Sequence, residues 1–216
     1  MRSRLDSPQP LSLSSSLLSR VEKSDCDEED KLEVVKKWSS SAVLGFNEPD
    51  VGDKSLSVED ALRLWEKLQP LSGRLGSPAT AANPGNEGSW LQQFMEGCKE
   101  RGLRVDFIAL HWYGWDPSLW EDTHAQLEEF KRAVQGVHDK FQLPLWVTEY
   151  SLIGWGSDPP TYPTPEIEAR FAAASAEWMN SVSFVEKYAW FALPKGLWDD
   201  SKREPTGVGR AYRDAR

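Results

Sequence analysis

The sequence predicts an α/β fold built on a parallel sheet, and three observations carry this prediction. Short apolar runs alternate along the chain with longer amphipathic segments, which is typical of strands connected by helices. The runs are almost continuously apolar, as expected for strands buried on both faces. Polar and aromatic residues follow these runs at their C-terminal ends, where a (β/α)8 barrel carries its active site. A dinucleotide-binding sheet is disfavoured because the chain has no G-x-G-x-x-G motif and no P-loop.

The alternating strands and helices begin at residue 42. Five short apolar runs are predicted strands: 42–46, 75–77, 107–111, 145–148 and 188–192. Between them, four segments carry apolar residues at helical spacing, as in Leu62, Trp65 and Leu68, and are predicted helices: 58–68, 88–101, 120–141 and 165–182. Pro165 suits the start of a helix, and Gly102 suits a helix end.

The N-terminal segment has a different composition. Residues 1–30 are rich in serine and then in acidic residues, so we expect a disordered tail there and a folded domain over 31–216. Within that domain, 31–38 has a helical pattern. The stretch LSLSSSLL resembles a signal peptide only weakly, because Asp6, Pro8 and several serines interrupt it. The compartment is left open.

Composition excludes several classes of function. A formal charge of −9 argues against nucleic acid, which needs a basic surface. No apolar run has the length of a membrane span, so we expect a soluble protein. Cys26 and Cys98 are too far apart in sequence to read as a disulfide framework. Eleven tryptophans are an excess, and their rings suit both cores and stacking on sugars.

Two glutamates follow predicted strands. Glu48 lies two residues after the run 42–46, and Glu149 directly follows the run 145–148. Glycoside hydrolysis requires one protonated and one ionised carboxyl group, about 5–5.5 Å apart in retaining enzymes. Strands separated by two others can face each other across a small barrel mouth, so the pair is a catalytic candidate. The alternative is that each carboxylate only meets solvent or caps the following helix. His124 and His138 lack metal-ligand spacing, and no metal is expected.

Five ordered motifs carry a family resemblance: VLGFNEPD (43–50), GSPATAANPG (76–85), VDFIALHWYGWD (105–116), PLWVTEYSLIGW (144–155) and YAWFAL (188–193). Together with the closing GVGRAY (207–212), they resemble glycoside hydrolase family 128, the alkali-sensitive-linkage-like glycosidases of clan A. The resemblance covers about residues 31–216. It implies endo-acting cleavage of β-1,3-glucan without a cofactor or metal, by proteins that are usually secreted or associated with the cell wall.

The resemblance also implies roles for individual residues. Glu48 would be the general acid/base, and Asn47 would hold the sugar 2-hydroxyl. Glu149 would be the nucleophile, oriented by a hydrogen bond from Tyr113. Trp190 would form the platform under the reactive sugar.

Further residues are candidates for contact with the glucan. They lie in the same motifs or in the loops that follow them: His111, Trp112, Trp115 and Tyr150, with Trp120 and Trp155 as possible stacking or lid residues. Asp50 and Asp116 are expected to cap the loops that follow them. Trp65, Trp90 and Trp178 are expected in the core, as is Cys98.

The chain departs from the family pattern at its N-terminal end. In the family the NEP strand is the fourth of the barrel, and three preceding βα units would take about 75–90 residues. Only 42 residues precede Val43, and none of them has a strand pattern. We therefore expect strands 4–8 and do not recognise strands 1–3. A barrel completed by a partner chain, a truncated product and a degenerate paralogue all remain open.

Three functions follow from these patterns. The first is a retaining endo-β-1,3-glucanase. The second is a catalytically inactive β-glucan-binding protein or a fragment of such a hydrolase, because the missing strands would remove walls of the site. The third is a barrel glycosidase of another specificity, such as a cellulase or mannanase, which shares the NEP motif but matches the other motifs less well.

Overall fold

The computed structural model describes residues 18–20, 41–52, 55–71, 73–191 and 196–215. For residues 18–20 the description is limited to the backbone. The expected helix over 31–38 lies outside these residues, as does the expected disordered tail except for Leu18–Arg20. For those three residues the expectation of disorder is wrong, because they form a strand. Parallel pairing uses only backbone groups, so this strand needs no apolar run and leaves little trace in the sequence.

Within the described ranges, six parallel strands and five α-helices make up the main body. The strands are β1 (Leu18–Arg20), β2 (Ala42–Leu44), β3 (Arg74–Gly76), β4 (Ile108–Tyr113), β5 (Leu145–Ser151) and β6 (Val185–Trp190). The helices are α1 (Val58–Glu66), α2 (Trp90–Arg101), α3 (Thr123–Phe141), α4 (Pro165–Ser181) and α5 (Gly207–Asp214). A 3-10 turn spans Pro117–Leu119, and a short antiparallel hairpin joins β7 (Trp198–Asp199) to β8 (Glu204–Pro205).

The parallel strands follow one another in chain order. β2 lies between β1 and β3, and β5 lies between β4 and β6. A parallel bridge between Gly76 and Phe107 connects the two groups. The α/β class and the five predicted strands are therefore confirmed, with ends shifted by a few residues. Within the described residues no ladder joins β6 to β1, so the sheet is not closed there.

The helices begin and end where the sequence supplies caps. Ser57 and Ser89 accept hydrogen bonds from the backbone N–H groups three residues on, at the starts of α1 and α2. Pro165 occupies the first turn of α4, and Gly102 ends α2 with a φ of +67°. Both of these predictions are confirmed.

Apolar side chains lie on both faces of the sheet. The side chains on the inner face form one small cluster, which consists of Ala42, Leu44, Ala79, Phe107, Ala109 and Trp146. The outer face packs against the helices, where Trp65 is fully buried. Trp90 and Trp178 pack against this outer core, as predicted. Cys98 is also buried there, and burial raises the pKa of its thiol to about 12, so it is an inert part of the core.

An ion pair shows that the sheet is curved. Arg74 in β3 donates to the Glu186 carboxylate in β6 at 2.7 Å, although β4 and β5 lie between them. In a flat sheet these strands would be about 14 Å apart, three steps of about 4.8 Å. Trp146 Nε1 donates to the same carboxylate at 2.8 Å. The inner face is therefore concave, and β3 and β6 approach each other across it.

None of the helices in the described residues is long and apolar enough to cross a lipid bilayer.

Candidate active site

Glu48 is held in an unusual backbone conformation just beyond β2. Its φ is +44°, in the left-handed region, which costs a non-glycine residue about 1–3 kcal/mol. The neighbouring loop fixes this conformation, because the Glu48 N–H donates to the Ala79 carbonyl at 2.7 Å. Gly45 permits the close approach, since a Cβ there would lie 2.7 Å from the Pro78 nitrogen. The turn that carries Glu48 is therefore fixed by the loop after β3.

Asp50 adds a second connection between the same two segments. Its carboxylate oxygens accept hydrogen bonds from the backbone N–H groups of Ala81 and Ala82, both at 2.9 Å. Asp50 thus binds the loop that follows β3, whereas the sequence suggested that it caps its own loop. Asp116 does cap the following turn, because it accepts from the Ser118 N–H at 2.9 Å.

Glu149 reaches the inner face of the sheet through a β-bulge. Trp146 faces inward and Val147 outward, so strict alternation would turn Glu149 outward. The pairing of β4 with β5 shifts by one residue after Leu110, so that His111 lies opposite Glu149 rather than Thr148. A bulge of this kind redirects the side chains that follow it. Glu149 then lies beside His111 and Tyr113 on the inner face.

Hydrogen bonds tie the two glutamates into one cluster. The Tyr113 hydroxyl donates to Glu149 Oε2 at 2.7 Å. His111 Nδ1 lies 3.0 Å from Glu48 Oε1 and 3.5 Å from Glu149 Oε2. One carboxylate oxygen from each glutamate and the His111 nitrogen all lie within 4.8 Å of one another. The structure thus brings together both predicted carboxylates and two of the residues predicted around them.

The same three side chains form the one group of the described residues that has metal-ligating geometry. Two carboxylates and an imidazole suit a divalent transition-metal ion. The expectation of a metal-free site stays a prediction.

Three of the predicted sugar contacts lie on the other side of the sheet. Trp112 packs against Phe130 and Phe171. Tyr150 is fully buried, and burial raises its pKa. Trp190 meets the Tyr150 ring edge-on with centroids 5.1 Å apart. The structure does not bring these rings to the carboxylates, because alternation along their strands turns them toward the helices.

Phe191 takes the inward position that the sequence suggested for Trp190. Its ring meets Tyr113 edge-on with centroids 5.5 Å apart. The prediction missed it, although strand alternation from Trp190 places its neighbour on the opposite face.

Two of the predicted rim tryptophans are exposed near the cluster. Trp155 meets Tyr113 edge-on, with centroids 5.6 Å apart, and is 49% exposed. Trp115 is 66% exposed, and its carbonyl lies close to Gly154. Trp120 differs, because it is buried and its Nε1 donates to the Gly114 carbonyl at 2.7 Å. Trp155 therefore presents an exposed ring next to Tyr113, while Trp120 packs under the loop.

The chain has clear relatives of known structure. A family model described as a glycosyl hydrolase catalytic core matches residues 21–212. A subgroup I endo-β-1,3-glucanase of glycoside hydrolase family 128 from Amycolatopsis mediterranei, crystallised with laminaripentaose, is 37% identical with a TM-score of 0.84. That match covers 97% of this chain and 87% of the other. The chain belongs to glycoside hydrolase family 128.

Two further relatives extend the comparison. A subgroup III curdlan-specific exo-β-1,3-glucanase from Blastomyces gilchristii is 25% identical with a TM-score of 0.70, covering 94% of this chain and 84% of that one. Alkali-sensitive linkage protein 1 of Schizosaccharomyces pombe is 31% identical over 160 residues, or 70% of this chain. The match spans 27% of the length of that curated relative. The matched family model begins at residue 21, inside the segment for which the sequence suggested disorder.

Proposed function

We propose that the protein is a retaining endo-β-1,3-glucanase in which Glu48 is the acid/base and Glu149 the nucleophile. One observation carries the proposal: the nearest oxygens of the two carboxylates lie within 4.8 Å of each other. Inverting glycosidases hold their carboxyl groups about 6.5–9.5 Å apart to admit a water molecule between them and the sugar. Retaining enzymes need the shorter separation, because one carboxylate attacks the anomeric carbon itself.

The reaction has two steps at the anomeric carbon. In the first, protonated Glu48 donates its proton to the glycosidic oxygen while a Glu149 oxygen bonds to the anomeric carbon. The bond to the leaving sugar breaks. In the second, Glu48 takes a proton from water, whose oxygen attacks the same carbon and releases Glu149. Two inversions leave the β configuration unchanged.

The surroundings of the two glutamates support this division of roles. The Tyr113 hydroxyl donates a hydrogen bond to Glu149 Oε2, which fixes the orientation of the carboxylate that attacks the anomeric carbon. The Glu48 side chain is 31% exposed and that of Glu149 is 16% exposed, so Glu48 is the more open to water and to the leaving sugar.

Several features suit a neutral glucan as the substrate. Asn47 directly precedes Glu48, and the family resemblance gives it the role of holding the sugar 2-hydroxyl. The exposed faces of Trp115 and Trp155 suit stacking on pyranose rings. The family relatives bound to laminari-oligosaccharides point to the β-1,3 linkage.

We infer that the curved sheet is part of a (β/α)8-type barrel. The six parallel strands, their intervening helices and the Arg74–Glu186 contact across the concave face support this. In this arrangement β1, which pairs with the strand before the NEP motif, is the third barrel strand. None of the first three barrel strands was recognisable from the sequence. The open sheet of the described residues also favours a second candidate, a glucan-binding protein without hydrolytic activity, with or without a partner chain that completes the barrel.

Release of reducing ends from laminarin tests the proposed function. We expect hydrolysis of laminarin and of soluble laminari-oligosaccharides, and no hydrolysis of cello- or manno-oligosaccharides. A folded protein that is retained by insoluble curdlan but releases no reducing ends would support the binding protein instead. Activity on cello- or manno-oligosaccharides alone would support a barrel glycosidase of another specificity, such as a cellulase or mannanase.

Replacing Tyr113 by phenylalanine tests the orientation of the nucleophile. The hydroxyl makes a 2.7 Å bond to Glu149, and loss of a hydrogen bond to a charged group costs about 1.5–3 kcal/mol. We expect kcat on laminarin to fall about 10- to 100-fold, with little change in KM. Tyr188→Phe is the matched control, because that hydroxyl bonds to Asn180 away from the cluster. Equal kcat values for the two variants would contradict the role of Tyr113.

A further inference from the structure

A groove opens beside the carboxylates where two neighbouring strands separate. β3 and β4 are joined by the Gly76–Phe107 bridge and by the bond from Ser77 N–H to the Phe107 carbonyl. Beyond this point the loop 81–86 forms one wall and 110–113 the other, with α3 behind them. The groove has a volume of about 520 Å³, within the range of about 300–1,000 Å³ for small-molecule sites.

The loop wall of this groove is fixed at both ends. At one end Asp50 holds the N–H groups of Ala81 and Ala82. At the other, Lys140 Nζ in α3 donates to the Asn86 carbonyl at 2.8 Å and to Gln92 Oε1 at 2.7 Å. A wall that is already ordered costs little conformational entropy when a ligand binds.

The lining of the groove suits a neutral polyhydroxylated ligand. Glu129 and Arg132 line it from one face of α3, and Asn83 and Asn86 line it from the loop. These side chains offer both donors and acceptors, and the two charges are of opposite sign. A purely apolar ligand would leave them unpaired, and a polyanion is disfavoured by the net charge of −9.

The groove adjoins the catalytic cluster. His111 and Tyr113 are among the residues that line it, and both residues also contact the two glutamates. The exposed Trp115 also lines it. We propose that the groove binds a further stretch of the same β-glucan chain, several sugars away from the cleaved bond. This proposal rests on the proposed function, and it makes Arg132 a determinant of preference for longer substrates.

Chain-length dependence tests the groove. In Arg132→Ala we expect kcat/KM for laminarihexaose to fall about tenfold, since a charged hydrogen bond is lost, while kcat/KM for laminaritriose stays unchanged. Arg63→Ala is the control, because this arginine is 57% exposed on α1 and lines no part of the groove. Titration calorimetry of laminarihexaose into Glu149→Gln, with and without Arg132→Ala, measures the same contact without hydrolysis. There we expect a tenfold higher Kd in the double variant.

The kinetic and calorimetric measurements distinguish an error in the groove proposal from an error in the proposed function. If the protein hydrolyses laminarin but Arg132→Ala affects both oligosaccharides equally or not at all, the groove proposal is wrong and the function stands. If Arg132→Ala weakens binding of laminarihexaose to a protein that hydrolyses nothing, the groove stands and the function is wrong. A protein that binds no laminarihexaose at all contradicts both.

Discussion

Glu149→Gln is expected to reduce kcat on laminarin by on the order of 10⁴- to 10⁶-fold, the range of losses that follows removal of one member of a catalytic unit. The amide is nearly the same size, and its oxygen can still accept the Tyr113 hydrogen bond, so the cluster should keep its shape. The amide oxygen, however, carries no negative charge with which to attack the anomeric carbon. Reducing-end release by the purified variant measures the effect.

The control for this prediction is Glu177→Gln, at an exposed position in α4. We expect that variant to keep full activity and both variants to melt at the temperature of the wild type by circular dichroism. A Glu149→Gln protein that is folded and retains a tenth or more of the wild-type kcat would remove Glu149 from the role of nucleophile.

Glu48→Ala is expected to lower kcat on laminarin about 10²- to 10⁴-fold, the usual contribution of general acid–base catalysis. An aryl β-laminaribioside with an activated leaving group needs no proton from the enzyme. Its first step should therefore survive, and sodium azide should restore turnover by attacking the intermediate in place of activated water. The expected product is the β-glycosyl azide.

The anomer of the azide product separates the two roles. In Glu149→Ala, azide would take the place of the missing nucleophile and give the α-glycosyl azide by a single inversion. If Glu48→Ala gave the α-azide and Glu149→Ala the β-azide, the two assignments would be exchanged.

Much of the sheet could be predicted from the sequence, because buried parallel strands are apolar runs that stand out between amphipathic helices. The strand Leu18–Arg20 could not, since it has no apolar run and is recognised by its backbone pairing with β2. The expected disorder over residues 1–30 drew on composition, which does not record such pairing.

The proposed catalytic pair was predictable in part. Glu48 and Glu149 were found because both follow apolar strands in recognisable motifs. Their proximity depends on features that periodicity does not show: the positive φ of Glu48 and the bulge that turns Glu149 inward. Strict alternation would have placed Glu149 among the helices.

The aromatic residues were the least predictable part. Trp190 and Tyr150 lie in the motifs that carry the family resemblance, but their rings belong to the outer core. Phe191 contacts Tyr113 instead. A tryptophan suits both a core and a sugar platform, so residue type alone cannot choose between them. The face of the strand on which the ring lies determines which of the two roles it has. The bulge in β5 makes that face hard to predict by counting residues along the sequence.

The anomeric configuration of the first product tests the central claim most directly. Proton NMR during the first minutes of laminarihexaose hydrolysis, before mutarotation, distinguishes the α and β reducing ends. Two carboxylates with oxygens within 4.8 Å of each other predict the β anomer first, followed by slow appearance of the α anomer. Initial release of the α anomer would contradict the assignment of Glu149 as a nucleophile and the pairing of Glu48 with it.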